Sequence, residues 1–435
     1  MKMDSPFDKN LKANNLRKSG NYSDALTLYK ELYQQNPNQY ISAGYLHCLR
    51  KLKCFQESIP FAESLVGKFP EYDWVNNEII WTFIEGLLYT LPEDESLFSV
   101  ITIANKILNL RPNQLASNLV VLRVCKTAKK ERKWKLLNEW SQKIDPALLD
   151  SKPKLLPNGR EGWSQQGLWH LYHITALVEE GMSSKAFPYL EYALEHFPKQ
   201  KKFFLRLRAQ AYFNSDKKEE AAADYKDLCN VPRPDWWMLK EYADVLKCLD
   251  QKDDALALMF QAAQYKQDLG LMVVLFEDIG DLFYELGNEE NAALHYQLTK
   301  LIRKERGWKI PESLDAKLSE LSSNGTVIPG SFQEIFKRCN QIWQNRTEKS
   351  GFVTLKQSLN QSNLRKNLIG KVTLMKPEKP FCFINLDSGE SLFCYIDNLP
   401  HGIANGDFVV FDARPSWDKK KNTQSWKAQN VRIKK

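Results

Sequence analysis

Small and apolar residues recur at helical spacing from the amino terminus to about residue 311. Two distant segments share a Gly-Asn pair, an alanine and a tyrosine at identical offsets: Gly20-Asn21 with Ala25 and Tyr29, and Gly287-Asn288 with Ala292 and Tyr296. Alanines at 186, 221, 255 and 292 are separated by 35, 34 and 37 residues, and prolines at 37, 70, 112 and 146 by 33, 42 and 34. The small residue predicts a close crossing of two helices, and the proline predicts the end of the second helix. The pattern predicts a series of helix pairs.

The period of the pattern changes near the carboxyl end. Residues 381–384 and 392–396 alternate between aromatic and smaller side chains. In a strand, Phe381 and Phe383 share one face, and in the next strand Phe393 and Tyr395 do the same. If the two strands pair, four rings line one outward face of a sheet. In the alternative interpretation these rings fill the core of a degenerate domain.

The helical period resembles that of the tetratricopeptide repeat, whose unit is a helix pair of about 34 residues. This resemblance covers residues 1–311 and implies an α-solenoid with an extended surface for a protein or peptide partner, expected in the solenoid concavity. We therefore predict a mainly α fold that begins with an α-solenoid of tetratricopeptide-like helix pairs.

A second resemblance is carried by the opening Gly370-Lys371-Val372 and by two motifs, Lys379-Pro380-Phe381-Cys382-Phe383-Ile384 and Leu392-Phe393-Cys394-Tyr395-Ile396. With these motifs, residues 368–433 resemble the cold-shock domain. This resemblance implies that a small five-stranded all-β barrel follows the α-solenoid. The family has Lys-Gly-Phe-Gly-Phe-Ile and Val-Phe-Val-His-Phe there. Leu374-Met375 replace a Trp-Phe pair, and Pro380 and Cys382 replace two glycines. The lost rings imply weaker binding than the family shows.

The resemblance implies binding of single-stranded RNA or DNA, with RNA favoured. Stacking rings beside cations is the composition that such a surface needs. The predicted contact residues are Lys371, Lys376, Lys379, Phe381, Phe383, Phe393 and Tyr395.

Between the solenoid (1–311) and the barrel (368–435), residues 312–367 are predicted to form a basic linker with one amphipathic helix. Its apolar stripe from Ser331 to Arg346 is expected to dock the barrel on the solenoid. Residues 321–367 carry seven Lys and Arg against two Asp and Glu. The polar side therefore either contacts phosphates or is a solvated face.

Charge and composition add to this picture. Residues 1–311 carry 42 Lys and Arg against 41 Asp and Glu, whereas residues 312–435 carry 19 against 12, so nearly all of the +8 net charge lies in the last third. Such asymmetry favours a polyanion partner at that end. The chain has no apolar segment long enough for a membrane span, and we expect a cytoplasmic protein.

The sequence offers little catalytic or metal-binding chemistry. The eight cysteines form no CxxC pair, and His47-Cys48 and His170 with His173 are too sparse to predict a metal site. We find no phosphate loop, nucleophile elbow or HExxH motif, which favours a non-enzymatic adaptor without cofactors. The alternatives are a protein-interaction scaffold whose barrel has lost nucleic-acid binding and a regulator in a bacterial conflict or defence system.

Overall fold

A computed structural model describes residues 5–156, 158–231, 233–326, 330–347, 365–373, 380–400, 402–418 and 423–433. The chain divides into two compact units, Met1–Lys217 and Lys218–Lys435. The described residues are helical up to residue 347 and form strands from residue 365 onward. The predicted fold class, tetratricopeptide-like helix pairs followed by a five-stranded barrel, is confirmed.

In the first unit most helices pack on the next helix along the chain, and several also pack on the next but one. The helices are α1 (Pro6–Lys18), α2 (Tyr22–Gln35), α3 (Gln39–Lys51), α4 (Phe55–Leu65), α5 (Asp73–Phe83), α6 (Leu97–Leu108), α7 (Gln114–Lys130), α8 (Trp134–Ser141), α9 (Gln165–Glu179), α10 (Ser183–His196) and α11 (Lys201–Asn214). A π-helical turn, Ile84–Leu88, extends α5. The prolines at 37, 70, 112 and 146 follow α2, α4, α6 and α8, as predicted.

The repeated Gly-Asn pair ends one helix and starts the next. Gly20 has φ of +84°, a left-handed conformation that glycine adopts without strain. The Asn21 side chain then caps α2 by accepting from the Asp24 amide. Tyr29 from α2 is fully buried against Gly44 of α3, where an added Cβ would lie 2.3 Å from the ring. The shared Gly-Asn pair therefore sets the turn between the two helices, and the tyrosine that follows it sets their close crossing.

In the described residues of the second unit, seven α-helices precede the strands. They are α12 (Lys218–Cys229), α13 (Trp236–Cys248), α14 (Lys252–Ala263), α15 (Val273–Glu285), α16 (Glu289–Glu305), α17 (Glu312–Ser323) and α18 (Phe332–Thr347). The glycine turn and the buried tyrosine of the first unit recur here, because Gly287 has φ of +74° and Tyr296 lies against Gly280.

The predicted amphipathic helix is α18, and it packs on α14 and α16. Its stripe residues Ile335, Cys339 and Trp343 are buried. The Trp343 ring stacks on Phe276 with centroids 5.3 Å apart. The helical packing therefore continues into the range predicted as linker, whose boundaries at 311 and 367 stay a prediction.

Acidification is expected to destabilise this packing through His295. The indole N–H of Trp343 donates to His295 Nε2 at 2.9 Å, so Nδ1 carries the imidazole proton and donates to the Asn291 carbonyl at 2.8 Å. Burial lowers the pKa of His295 to about 4, from 6.5 in an exposed histidine. Between pH 4 and 6.5, the His295 imidazole is therefore protonated in the unfolded state and neutral in the folded state. The free energy of unfolding should therefore fall by roughly 1.4 kcal/mol per pH unit as pH drops from 6.5 towards 4.

Denaturant titrations at pH 7, 6 and 5 measure this dependence. His295→Gln keeps an acceptor for Trp343 but does not titrate in this range. In this variant the free energy of unfolding should depend less steeply on pH. An unchanged dependence on pH would contradict the assignment to His295.

The barrel consists of β1 (Arg365–Thr373), β2 (Phe381–Leu386), β3 (Ser391–Tyr395), β4 (Phe408–Asp418) and β5 (Thr423–Ile433). It closes in the order β1-β2-β3-β5-β4. All pairings are antiparallel except that of β3 with β5, which is parallel. An odd number of strands cannot alternate direction around a closed ring, so one parallel pair is required. Pro380 stands just before β2, at the end of the ladder, where a missing N–H is tolerated, and its carbonyl accepts from the Ile396 amide.

Candidate nucleic-acid interface

Strand alternation points four aromatic side chains outward from β2 and β3. We name Phe381, Phe383, Phe393 and Tyr395 the ring surface. The three phenylalanines are half-buried and Tyr395 is 43% exposed, whereas the residues between them are fully buried. The barrel interior is instead filled by Val372, Cys382, Ile384, Leu392, Cys394, Val409, Phe411, Ala413, Ala428 and Val431. The rings therefore do not form the core.

The rings of this surface contact one another. Phe381 and Phe393 stack with centroids 5.3 Å apart, and Phe383 meets Phe393 edge to face at 6.0 Å. Tyr395 meets Phe393 edge to face at 5.0 Å. Phe393 is thus the centre of a continuous aromatic surface.

The ladder register explains why the rings lie so close. The β2–β3 hydrogen bonds join Leu386 to Glu390 at one end and Ile396 to Pro380 at the other. Pairs between these ends alternate, so Phe381 with Tyr395 and Phe383 with Phe393 occupy the non-hydrogen-bonded positions. Cα atoms there approach to about 4.5 Å, closer than at hydrogen-bonded positions.

Lys427 and Arg414 lie beside the ring surface, on the two strands that follow β3 around the barrel. Phe393 pairs with Lys427 of β5, and Lys427 pairs with Arg414 of β4. Lys427 Nζ lies 3.9 Å from the centroid of the Tyr395 ring. Burial and the Arg414 charge lower the pKa of Lys427. No ion pair joins Lys427 or Arg414 to a carboxylate among the described residues, and the two cations lie side by side on β5 and β4.

Lys371 lies on the outer face of β1, next to β2. Its Nζ is 5.9 Å from the centroid of the Phe408 ring, which is 46% exposed. The other two predicted lysines, Lys376 and Lys379, lie outside the described residues. The structure therefore brings one predicted lysine to the same face of the barrel as an additional aromatic ring.

Sequence reasoning missed Lys427, Arg414 and Phe408. A signal for Lys427 was present, because it stands between Trp426 and Ala428, which face the interior, and so must point outward. Arg414 has no such local signal, because its place beside Lys427 follows from the β4–β5 register.

The histidines considered for metal binding make structural hydrogen bonds instead. His47 Nδ1 lies 2.8 Å from a carboxylate oxygen of Glu78, and His173 Nδ1 lies 2.9 Å from Ser141 Oγ. Among the residues that the structure describes, no three His, Cys, Asp or Glu side chains are grouped to hold a metal ion.

In comparison with known protein families, residues 202–341 match the family described as "Domain of unknown function (DUF7017)". No curated protein is significantly similar to the chain in sequence. No helix within the described ranges has the length and apolar character needed to span a bilayer.

Among solved structures, a thermophilic tetratricopeptide repeat (TPR) protein from Thermus thermophilus is 17% identical, with 56% of this chain and 100% of that chain covered and a TM-score of 0.21. A tetratricopeptide repeat protein from Parabacteroides merdae is 12% identical over 62% and 97%, with a TM-score of 0.30. A human IFIT1 dimer with m7Gppp-AAAA is 13% identical over 78% and 72%, with a TM-score of 0.35. Such distant similarities carry no inference about function.

Proposed function

We propose that the chain is a non-enzymatic cytoplasmic adaptor whose barrel binds single-stranded nucleic acid, with RNA favoured over DNA. One observation supports this above all: the ring surface points outward and is continuous with Lys427 and Arg414. Aromatic faces take unpaired bases by stacking, and neighbouring cations take the phosphates. The barrel would then be a cold-shock-like member of the oligonucleotide-binding class.

Duplexes are poor ligands for such a surface. Bases in a duplex are stacked on one another and present only their edges, so they cannot lie on the rings. Each stacked base contributes about 1 to 3 kcal/mol. The proposed site therefore prefers single strands over duplexes of the same sequence.

Titration of the full chain with a labelled RNA strand, the matching DNA strand and their duplexes tests this function. We expect single strands to bind at least about tenfold more tightly than duplexes, which corresponds to one stacked base. Lys427→Gln should reduce the slope of log affinity against log salt by about 0.7, the value for one lost phosphate contact on a single strand. Lys30→Gln, an exposed lysine of α2, is the control and should leave the slope unchanged.

Failure of every oligonucleotide to bind would favour the alternative, a protein-interaction scaffold with a degenerate barrel. A slope that falls equally in the two lysine variants would contradict the assignment of Lys427. Equal affinity for RNA and DNA would remove the preference for RNA and leave the site in place.

We also propose that the helical repeats bind a protein or peptide partner. Phe7, Leu11 and Tyr40 are 75%, 52% and 54% exposed around a cleft of about 150 Å³ that Asn14 and Trp74 also line. Exposed apolar side chains gathered in this way are typical of protein interaction sites. The near-neutral charge of residues 1–311 argues against nucleic acid as the ligand of this part.

Affinity purification with the full chain as bait tests the cleft. The expected result is a partner that wild type and Lys30→Gln retain and Leu11→Asp loses, because an aspartate would have to be buried in the apolar contact. Equal retention by Leu11→Asp would place the partner site elsewhere.

A further inference from the structure

Two cysteines face each other inside the barrel, directly beneath the ring surface. Cys382 of β2 and Cys394 of β3 are Cα partners in the antiparallel ladder, and both side chains are fully buried. Both are free thiols. Each of the two strands that carry the ring surface therefore supplies one thiol for a covalent link between β2 and β3.

The register gives this pair a separation that suits a disulfide. Counting from the Leu386–Glu390 hydrogen bond, Cys382 and Cys394 fall at a hydrogen-bonded pair, where Cα atoms lie about 5.5 Å apart. Disulfides span Cα separations of roughly 4.4 to 6.8 Å. Directly opposed residues also point to the same side of the sheet, so the sulfur atoms converge.

We propose that Cys382 and Cys394 form a reversible cross-strand disulfide, with a peroxide as the oxidant. One thiolate attacks a peroxide oxygen, which gives a sulfenic acid and releases one water molecule. The second thiol attacks that sulfur, forms the S–S bond and releases a second water. Two thiols are oxidised and one hydrogen peroxide is reduced to two waters. This inference does not depend on nucleic-acid binding.

The contact between the two thiols shifts their pKa values in opposite directions. Contact with Cys394 lowers the pKa of Cys382, and the same contact together with burial raises the pKa of Cys394. The lower pKa favours Cys382 as the thiolate that attacks first, with Cys394 resolving the sulfenic acid. Because both are buried, the reaction waits for local opening of β2 and β3, and mild denaturant should speed it.

The bond would fix the register of the two strands that carry the ring surface. Cross-linking constrains the opened state of the strands more than the closed state. Amide exchange in β2 and β3 of the oxidised chain should therefore slow by about tenfold or more. Exchange in the helices should not change.

The test uses full chain in which the exposed Cys54 and Cys248 are replaced by serine, so that they do not form bonds between molecules. The chain is exposed to hydrogen peroxide, blocked with maleimide and digested with trypsin. Each lysine or arginine between residues 372 and 418 precedes a proline, so trypsin leaves Cys382 and Cys394 in one peptide. We expect that peptide to lose the mass of two hydrogen atoms and to regain it with dithiothreitol.

Cys394→Val in the same background is the matched control, because valine is apolar, similar in volume and suited to a strand. It should not show the mass loss or the slowed exchange. Maleimide on both cysteines after peroxide treatment, with mild denaturant present, would overturn the proposal. A dithiothreitol-reversible mass loss that persists in Cys394→Val would also overturn it.

Discussion

Replacing Phe383 with alanine is expected to weaken single-strand binding by about 1 to 3 kcal/mol while the barrel stays folded, because the ring faces outward and offers a stacking surface. Phe411 is the matched control, since it is a phenylalanine of the same barrel that is fully buried on the inner face of β4. Phe411→Ala should cost about 3 to 5 kcal/mol of stability, since it leaves a cavity in the core.

Oligonucleotide titration and hydrogen exchange of barrel amides, measured on both variants, separate the two effects. The expected result is lower affinity with preserved protection for Phe383→Ala and lost protection for Phe411→Ala. Unchanged affinity with reduced protection in Phe383→Ala would show that the ring is structural, and would favour the scaffold interpretation over the adaptor.

Removing the Arg50 side chain is expected to destabilise the first unit by about 3 to 5 kcal/mol. Arg50 donates to Glu78 from Nε at 3.1 Å and from Nη2 at 2.9 Å, and to Glu85 from Nη1 at 2.6 Å. Arg50 and Glu78 are 6% and 5% exposed. Burial alone would raise the pKa of Glu78, but hydrogen bonds and charges from His47 and Arg50 outweigh burial and lower it. Arg50→Ala therefore leaves a buried carboxylate without its main counterion.

Denaturant unfolding of Arg50→Ala against Lys51→Ala measures this loss, because Lys51 is the exposed neighbour in α3 and should change stability little. Adding Glu78→Gln to Arg50→Ala removes the unpaired charge and should recover part of the stability. A double variant that is less stable by the sum of the two single changes would show that the two side chains are not coupled.

The helical repeats were only partly visible in the sequence, and the structure shows why. The turn between paired helices needs a residue with positive φ, which is glycine at Gly20, Gly181 and Gly287. Elsewhere Lys53, Arg132, Asp216 and Asp250 adopt the same conformation, at φ of 55° to 59°. A side chain other than glycine costs some strain there but is tolerated when the packing of both helices holds it. The repeat is therefore hard to recognise in the sequence at turns where a residue other than glycine adopts positive φ.

The sequence by itself determined the local structure of this protein. Helical spacing, caps and prolines specified helix pairs, and alternation in β2 and β3 specified which aromatic residues share a face, because both signals depend only on neighbours along the chain. Barrel closure decided the rest. Lys427 and Arg414 join the ring surface because β5 lies beside β3 and β4, and Cys382 meets Cys394 through the register of β2 and β3. Such contacts depend on strand order and register, which the whole folded core fixes rather than any single segment.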